Sequence, residues 1–257
     1  MRTAIVTGAA QGVGRATAAL LSRLGYRVVL VDLQSVEAQV ERLRSAGAAA
    51  EGACGDVSSE PFVQELAQRI ERDHGAADVL VNNAGVSLIC PAEDTTAAQW
   101  RRVLDINLFA PFLLCKYLGA QMLGRRLGSI VNVASVAGLA GISNRSAYNA
   151  SKHGLIGLTQ TLAAEWGGRG VRVNAVCPGW IKTEMDAADQ GSGAYTDDDI
   201  IDRVPMARFA RPQDIAEAIA FLADDDRNGF INGVSLPVDG GWIADASWEN
   251  LRRGTRA

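Results

Sequence analysis

The sequence predicts an α/β fold: one parallel sheet of about seven strands with helices on both faces, built as a single domain over residues 1–257. Two observations predict it. Short β-branched runs alternate along the chain with longer stretches of helical period, which is how a parallel sheet buried on both faces reads. No linker, repeat or low-complexity tract interrupts the alternation, and the length suits one large domain.

The elements follow in order. Thr3–Thr7 (TAIVT) reads as a buried strand ending at Gly8. Val13, Leu20, Leu21 and Leu24 then share a helical face, and Gly25 stands where a C-terminal cap belongs. Arg27–Asp32 (RVVLVD) is the second strand and Ala50–Cys54 a third. Phe62, Val63, Leu66, Ala67 and Ile70 recur at helical period before a strand at 78–82 (DVLVN). Helices at about 99–124, 146–167 and 212–223 separate the remaining strands, at 129–134, 171–177 and 234–239. Pro212 suits a first helical turn, and Asp214 suits its positive end. The segment 185–206, rich in Asp, Gly and Ser, reads as a loop or short-helix insertion.

Composition excludes several function classes. With 48% apolar residues, a chain of this size buries about three quarters of its unfolded surface, so it needs no disulfide or metal staple. Twenty-five basic against twenty-nine acidic residues lack the cationic excess of a dedicated nucleic-acid binder. The opening MRTAIVTG has no apolar signal region, and Asp105, Asn107, Lys116 and Gln121 interrupt the apolar run 103–123. A soluble, cytoplasmic protein without membrane contact is expected. Cys54, Cys90, Cys115 and Cys177 are far apart without a CxxC pair and read as buried thiols of a reducing compartment. His74 and His153 are the two histidines, too few for a Cys/His zinc centre, and no metal is expected. No G-x-S-x-G elbow supports a hydrolase. Asp197-Asp198-Asp199 and Asp224-Asp225-Asp226 read as solvated faces, and Trp100, Trp166 and Trp242 as core or interface.

Glycine placement is the first functional signal. Gly8-Ala-Ala-Gln11-Gly12-Val13-Gly14 lies between the first strand and the first helix. Glycines there permit a tight turn, let backbone approach a pyrophosphate and allow close helix–sheet packing, while the helix N-terminus offers free N–H groups. No Lys-Ser/Thr follows, so the turn is not a Walker loop. Asp32 ends the second strand 18 residues after Gly14, close to the spacing of a ribose-binding acid. A carboxylate there accepts hydrogen bonds from ribose hydroxyls and repels a 2′-phosphate. Gln11 precedes Gly12 and Leu33 follows Asp32, with no cation at either place, so NAD is expected over NADP.

Tyr148 and Lys152 are the second signal, four apart in SAYNASKHGLIGL and therefore neighbours on one helix face. A phenol with a pKa near 10 is a poor base at neutral pH, and lowering it by about 3 units takes about 4 kcal/mol. An ammonium about 4 Å away in a partly screened site supplies a Coulomb energy of that size. His153, one position on, is turned about 100° away and reads as packing or interface.

Gly8-x-x-x-Gly12-x-Gly14, Asn82-Asn83-Ala84-Gly85, Asn107, Ser135, Tyr148-Asn-Ala-Ser-Lys152 and Pro178-Gly179 occur in that order. Together with the gap from Ser135 to Tyr148 and the Asp239-Gly240-Gly241 ending, they closely resemble the short-chain dehydrogenase/reductase family over residues 3–242. The resemblance implies a Rossmann-like, doubly wound sheet and assigns roles. Tyr148 is implied as general acid/base and Ser135 as hydrogen-bond donor to the substrate oxygen. Lys152 is implied to hold the nicotinamide ribose and lower the tyrosine pKa, and Asn107 to keep a water relay beside the lysine. Asp56 and Val57 resemble the adenine-contacting pair, and Asn83, Ala84 and Gly85 line the cofactor. Pro178, Gly179, Ile181 and Thr183 are implied at its nicotinamide half, with Trp180 beside the substrate pocket.

The function expected is an NAD-dependent oxidoreductase interconverting a secondary alcohol (sugar, polyol or hydroxy acid) and its ketone. The alternative is a 3-oxoacyl thioester reductase. From other classes stand an NAD-retaining epimerase or dehydratase, and a non-catalytic NAD-binding protein. The first usually needs a larger C-terminal substrate domain than the roughly 60 residues between Thr183 and the end of the resemblance at 242, and the second sits poorly with the intact tetrad. Substrate choice is expected to lie in 185–206. Apolar residues almost all round the helices at 99–124 and 146–167 suggest further burial, and the resemblance implies a homotetramer, with a dimer second. The tail 246–257, with Arg252, Arg253 and Arg256, extends past the resemblance.

Overall fold

The β-branched runs pair into one seven-stranded sheet in the computed structural model of the chain, which describes residues 1–191, 193, 195–248 and 251. The strands are β1 (Thr3–Thr7), β2 (Arg27–Asp32), β3 (Ala50–Cys54), β4 (Val79–Asn82), β5 (Gly128–Val133), β6 (Val171–Pro178) and β7 (Ser235–Val238). Every pairing is parallel, in the order β3-β2-β1-β4-β5-β6-β7. The chain runs outward from β1 to β3, then returns to place β4 on the other side of β1. That reversal opens a crevice at the C-terminal ends of β1 and β4, where open α/β sheets bind ligands. The tail arginines Arg252, Arg253 and Arg256 lie outside the described residues.

Strand period sorts the side chains onto the two faces. Val6, Leu30, Val81 and Val131 join Leu21, Ile215 and Ile219 on one face, beneath α1 (Gly12–Arg23), α2 (Glu37–Ser45) and α9 (Pro212–Ala223). Ile5, Val29, Leu80 and Ile130 join Ile70, Leu113, Leu118 and Leu162 on the other, beneath α3 (Glu60–His74), α5 (Ala110–Arg125) and α6 (Ser146–Trp166). Leu24 does not belong to the buried face expected of it. α1 ends at Arg23, Gly25 turns the chain at φ +86°, and Leu24 is left 57% exposed at the cap.

The expected helix at 99–124 proves to be three pieces: α4 (Ala97–Leu104), a π turn (Asp105–Phe109) and α5. Pro111 gives the reason. It has no N–H for the Asn107 carbonyl four residues earlier, and its ring crowds that carbonyl, so the chain widens there before α5 resumes. By length and composition the run 97–125 could cross a membrane, but half of its most apolar window is buried in the fold. Leu113, Leu114, Leu118 and Met122 are fully buried there. Within 185–206, α7 (Glu184–Gln190) leads in and α8 (Asp197–Arg203) follows, each started by a threonine cap, Thr183 and Thr196. Asp197-Asp198-Asp199 is thus the first turn of α8, and Asp224 caps α10 (Asp225–Asn228).

Candidate active site

The glycine turn is tight because neighbouring backbone leaves no room for side chains. Gly8 and Gly12 have φ +64° and +51°, and a Cβ on Gly14 would lie 2.1 Å from the Gly8 carbonyl oxygen. A Cβ on Gly8 would meet the Ala84 Cα at 2.9 Å, so the turn rests on the segment after β4. Asn83 locks the two together: its amide donates to the carbonyls of Thr7 (2.9 Å) and Gly8 (3.1 Å). The Thr7 hydroxyl in turn accepts from the backbone N–H groups of Asn83 and Ala84, each at 3.0 Å.

Asp32 closes the far end of this crevice. Its Oδ2 accepts from the Ala10 N–H at 3.0 Å and its Oδ1 from the Gln34 N–H at 2.9 Å, so the carboxylate is held at the turn. Gln11, Val13, Leu33, Asp56 and Val57 line the same wall. Hydrogen bonds from the Ser58 hydroxyl and N–H hold the Asp56 carboxyl below the usual carboxylate range. The opposite wall comes from the end of β6. A Cβ on Gly179 would lie 2.9 Å from the Asp239 Cα, Ile181 bridges to Ala210, and Thr183 faces Gly12 across the gap. The cleft holds about 590 Å³ and runs from Asp32 past Gly85 and Pro178 to Tyr148. A nicotinamide dinucleotide fits such a cradle: side chains are sterically refused at the turn, and an anchored carboxylate waits where a ribose would lie.

The four tetrad positions converge at the other end. The π turn buries Asn107, whose Oδ1 accepts from the Val86 N–H (2.8 Å) while its Nδ2 donates to the Val86 carbonyl (2.9 Å) and Ser151 (3.2 Å). Ser135 leaves β5 as the cap of a short 3₁₀ turn, its Oγ accepting from the Ala137 N–H. Tyr148 and Lys152 stand on α6, with the Lys152 Nζ 5.6 Å from the centre of the Tyr148 ring. That ammonium is buried and donates to the Val133 carbonyl at 2.8 Å.

Burial disfavours charge on both groups. It pushes the Tyr148 phenol up from its ordinary value, against a hydrogen bond from Ser135 and the Arg145 guanidinium. The expectation that Lys152 pulls the phenol down is therefore corrected for the chain alone. Arg145 is the cation that acts on the phenol, and Lys152, engaged by Val133, is itself lowered to about 8 by burial. The lysine shift sets a pH dependence. Between pH 8 and about 10.4 the unfolded chain binds this proton and the folded one does not, so stability from this group rises with pH. Lys152→Met has no such group. Wild type is expected to gain on it by up to about 3 kcal/mol between pH 8 and 10, read as denaturant midpoints against pH. A constant difference across that window would contradict a neutralising lysine.

The cleft also contains residues the sequence reading passed over: Ser87, Arg145, Asp186, Asp189 and Tyr195. Arg145 carried a usable signal, three positions before Tyr148. Asp186 and Asp189 carried none, because their segment has no period to align. Trp180 lines the cleft and rests on Trp242, ring centres 5.1 Å apart. Trp166 is core, while His153 is exposed, its Nδ1 2.9 Å from the Asn149 carbonyl. Of the four cysteines expected to be buried, Cys115 and Cys177 are, whereas Cys54 is exposed and Cys90 half-buried. Cys54 ends an edge strand and Cys90 lies in a loop, so neither is covered on both faces.

Comparison with known proteins agrees with this architecture. A family model described as enoyl-(acyl carrier protein) reductase matches residues 8–243. D-threitol dehydrogenase of Mycolicibacterium smegmatis is 41% identical, across 94% of this chain and 92% of that protein. Cis-4-hydroxycyclohexanecarboxylate dehydrogenase of Sinomonas cyclohexanicum is 42% identical, across 95% and 97%. The 3-oxoacyl-[acyl-carrier-protein] reductase FabG of Thermotoga maritima is 34% identical, across 94% and 98%. Among solved structures, a candidate NAD(P)-dependent gluconate 5-dehydrogenase from Beutenbergia cavernae, with NADP bound at low occupancy, superposes with TM-score 0.90 at 38% identity, across 95% and 97%. The chain belongs to the short-chain dehydrogenase/reductase family, as an oxidoreductase of alcohols and ketones.

Proposed function

We propose that the chain is an NAD-dependent dehydrogenase interconverting a secondary alcohol and its ketone, with Tyr148 as general acid/base. The observation that carries the reading is one continuous cleft, with the anchored Asp32 carboxylate and glycine turn at one end and Ser135, Tyr148 and Lys152 at the other. An oxidised nicotinamide bound along it supplies the hydride acceptor and a second positive charge beside the phenol. In the oxidative direction Tyr148 takes the proton of the substrate hydroxyl. Ser135 donates a hydrogen bond to the same oxygen, which fixes the carbinol carbon against the ring. Lys152 has donors beyond the one given to Val133 and holds the adjoining ribose. Asn107, clamped to Val86 and Ser151, keeps the floor beneath the lysine in place. Gly8, Gly12, Gly14 and Gly85 admit the dinucleotide backbone, and Asp56 and Val57 flank its adenine.

NAD is preferred over NADP because the Asp32 carboxylate meets the ribose 2′ position and Gln11 and Leu33 provide no compensating cation. The oxoacyl reductase reading loses its simplest docking surface. Arg125 is committed to Asp78 and the Ala77 carbonyl, Arg126 to the Gly168 carbonyl, and Arg172 to Asp225. Phe109 and Phe112 stack outward, each 43% exposed, in line with the proposed homotetramer, with a dimer second. A monomer in light scattering at micromolar concentration contradicts that assembly. The four unbridged cysteines suit a reducing cytoplasm. The function is tested by absorbance at 340 nm across alcohols and ketones: net reduction of NAD supports a dehydrogenase. A flat trace with substrate consumed points to a nucleotide-retaining epimerase or dehydratase, and a flat trace with nothing consumed to a binding protein.

A further inference from the structure

The wall of the cleft beside Tyr148 carries more charge than alcohol oxidation requires, and its arrangement is specific. Arg145 immediately precedes α6, and its backbone is fixed by a bridge to Cys90 and by the Cys90 N–H bonding the neighbouring Asn144 carbonyl at 2.7 Å. Its guanidinium donates to the Ser87 Oγ at 2.8 Å and to the Asp189 Oδ2 at 3.1 Å. Ser87 donates to the same Asp189 oxygen at 2.9 Å, which closes a three-membered ring of hydrogen bonds. Arg145 and Asp189 are 12% and 16% exposed, so this is a largely desolvated pair.

Next to it stands Asp186. Tyr195 donates to its Oδ1 at 2.9 Å. Its Oδ2 is buried, and among the described residues its one polar contact is the ammonium of the half-exposed Lys182, at 3.3 Å, which leaves a lone pair of that oxygen open. A buried carboxylate oxygen with an open lone pair lining a cleft is an invitation to a donor.

Charge decides which donor. Around Asp186, Arg145 already has Asp189 and Lys182 has Asp186 and Asp197, while Lys152 is given to the Val133 carbonyl and, in the proposed function, to the ribose. An incoming carboxylate beside Asp186 would therefore find Arg145 and Lys182 already paired, and placing an anion within about 4 Å of another in a partly screened site disfavours it by about 10³-fold. A hydroxyl carries no such penalty, and it can donate to Asp186 and accept from Arg145 at once. We propose that this wall selects a neutral polyhydroxylated substrate, a polyol or uncharged sugar, with Asp186 accepting a hydroxyl proton and the Arg145–Ser87–Asp189 ring positioning the hydroxyl beyond the reacting carbon. The assignment rests on the dehydrogenase reading above and narrows it. Ser87, Arg145, Asp186 and Asp189 are its specificity determinants.

The test is a kinetic panel, with NAD and with NADP, of short polyols, the aldonic acids of matching chain length, the matching amino alcohols and an acetoacetyl thioester. Wild type is expected to prefer polyol to acid by at least about 10²-fold in kcat/KM, on the conservative side of the about 10³-fold that the charge repulsion sets. Asp186→Asn keeps the shape and removes the charge. It is expected to cut that ratio at least about tenfold, through KM rather than kcat. Ser87→Ala, which opens the ring without adding charge, is expected to raise KM for polyols alone. A readout without turnover uses Tyr148→Phe with NAD: polyols raise its melting temperature and acids do not. Acids, thioester or amino alcohols handled as well as polyols, or a ratio unmoved in a folded Asp186→Asn, overturns the assignment and leaves the dehydrogenase standing. Silence of every compound with both nucleotides overturns both.

Discussion

Tyr148→Phe is expected to lower kcat by about 10²–10⁴-fold, the range over which a positioned acid/base acts, while the affinity for NAD stays within about threefold. The two halves of that result have separate physical sources. The phenolic oxygen is the one atom removed, and in the proposed mechanism it is the group that exchanges the substrate proton beside Ser135. The nucleotide cradle, from Asp32 through the glycine turn to Gly85, is built by other residues and stays in place. The ring also remains, so packing beneath Arg145, whose guanidinium lies 5.8 Å from its centre, is preserved. Steady-state kinetics beside calorimetric NAD titration measure both halves. Full turnover in the variant would remove Tyr148 from the mechanism, and loss of NAD binding would make it a structural residue instead.

Asp32→Ala is expected to reduce the preference for NAD over NADP by about 10- to 10³-fold, read as the ratio of kcat/KM values. Carboxylate and 2′-phosphate repel by about 1 to 4 kcal/mol per unit charge at contact distance, depending on how far water screens them. The substitution also frees the Ala10 and Gln34 N–H groups, which turns that corner from acceptor to donor. Those donors are positioned to favour a phosphate, so kcat/KM with NADP rises while that with NAD falls. An unchanged ratio would show that nucleotide choice is made elsewhere than at the end of β2.

Most of the fold was legible because parallel strands announce themselves twice, by β-branched runs and by the helices between them. Thr3–Thr7 and Arg27–Asp32 begin and end where the sequence reading puts them. Even Ala50–Cys54, with three small residues, takes its place at the edge, where packing asks least. The interruption at Asp105–Phe109 was missed, although Pro111 stands in plain view. Proline inside an apolar stretch permits a break, a kink or a first turn alike, and local sequence does not choose among them. At the site, spacing exposes groups that share an element, such as Tyr148 and Lys152 on α6. It does not expose groups joined across the fold, as Ser87, Arg145 and Asp189 are. The direction of the Tyr148 shift in the chain alone escaped the sequence for a related reason. Charge proximity could be anticipated from four-residue spacing, but burial, which acts in the opposite direction, comes from the surrounding fold.

The central claim is that the substrate's hydroxyl proton goes to Tyr148 while a hydride leaves the carbinol carbon for the nucleotide. Substrate deuterated at that carbon tests it most directly, with the nucleotide recovered and weighed by mass spectrometry. The account predicts reduced NAD one mass unit heavier, in amounts matching the ketone formed, and a slowed turnover. Unlabelled or unreduced nucleotide beside transformed substrate would contradict it.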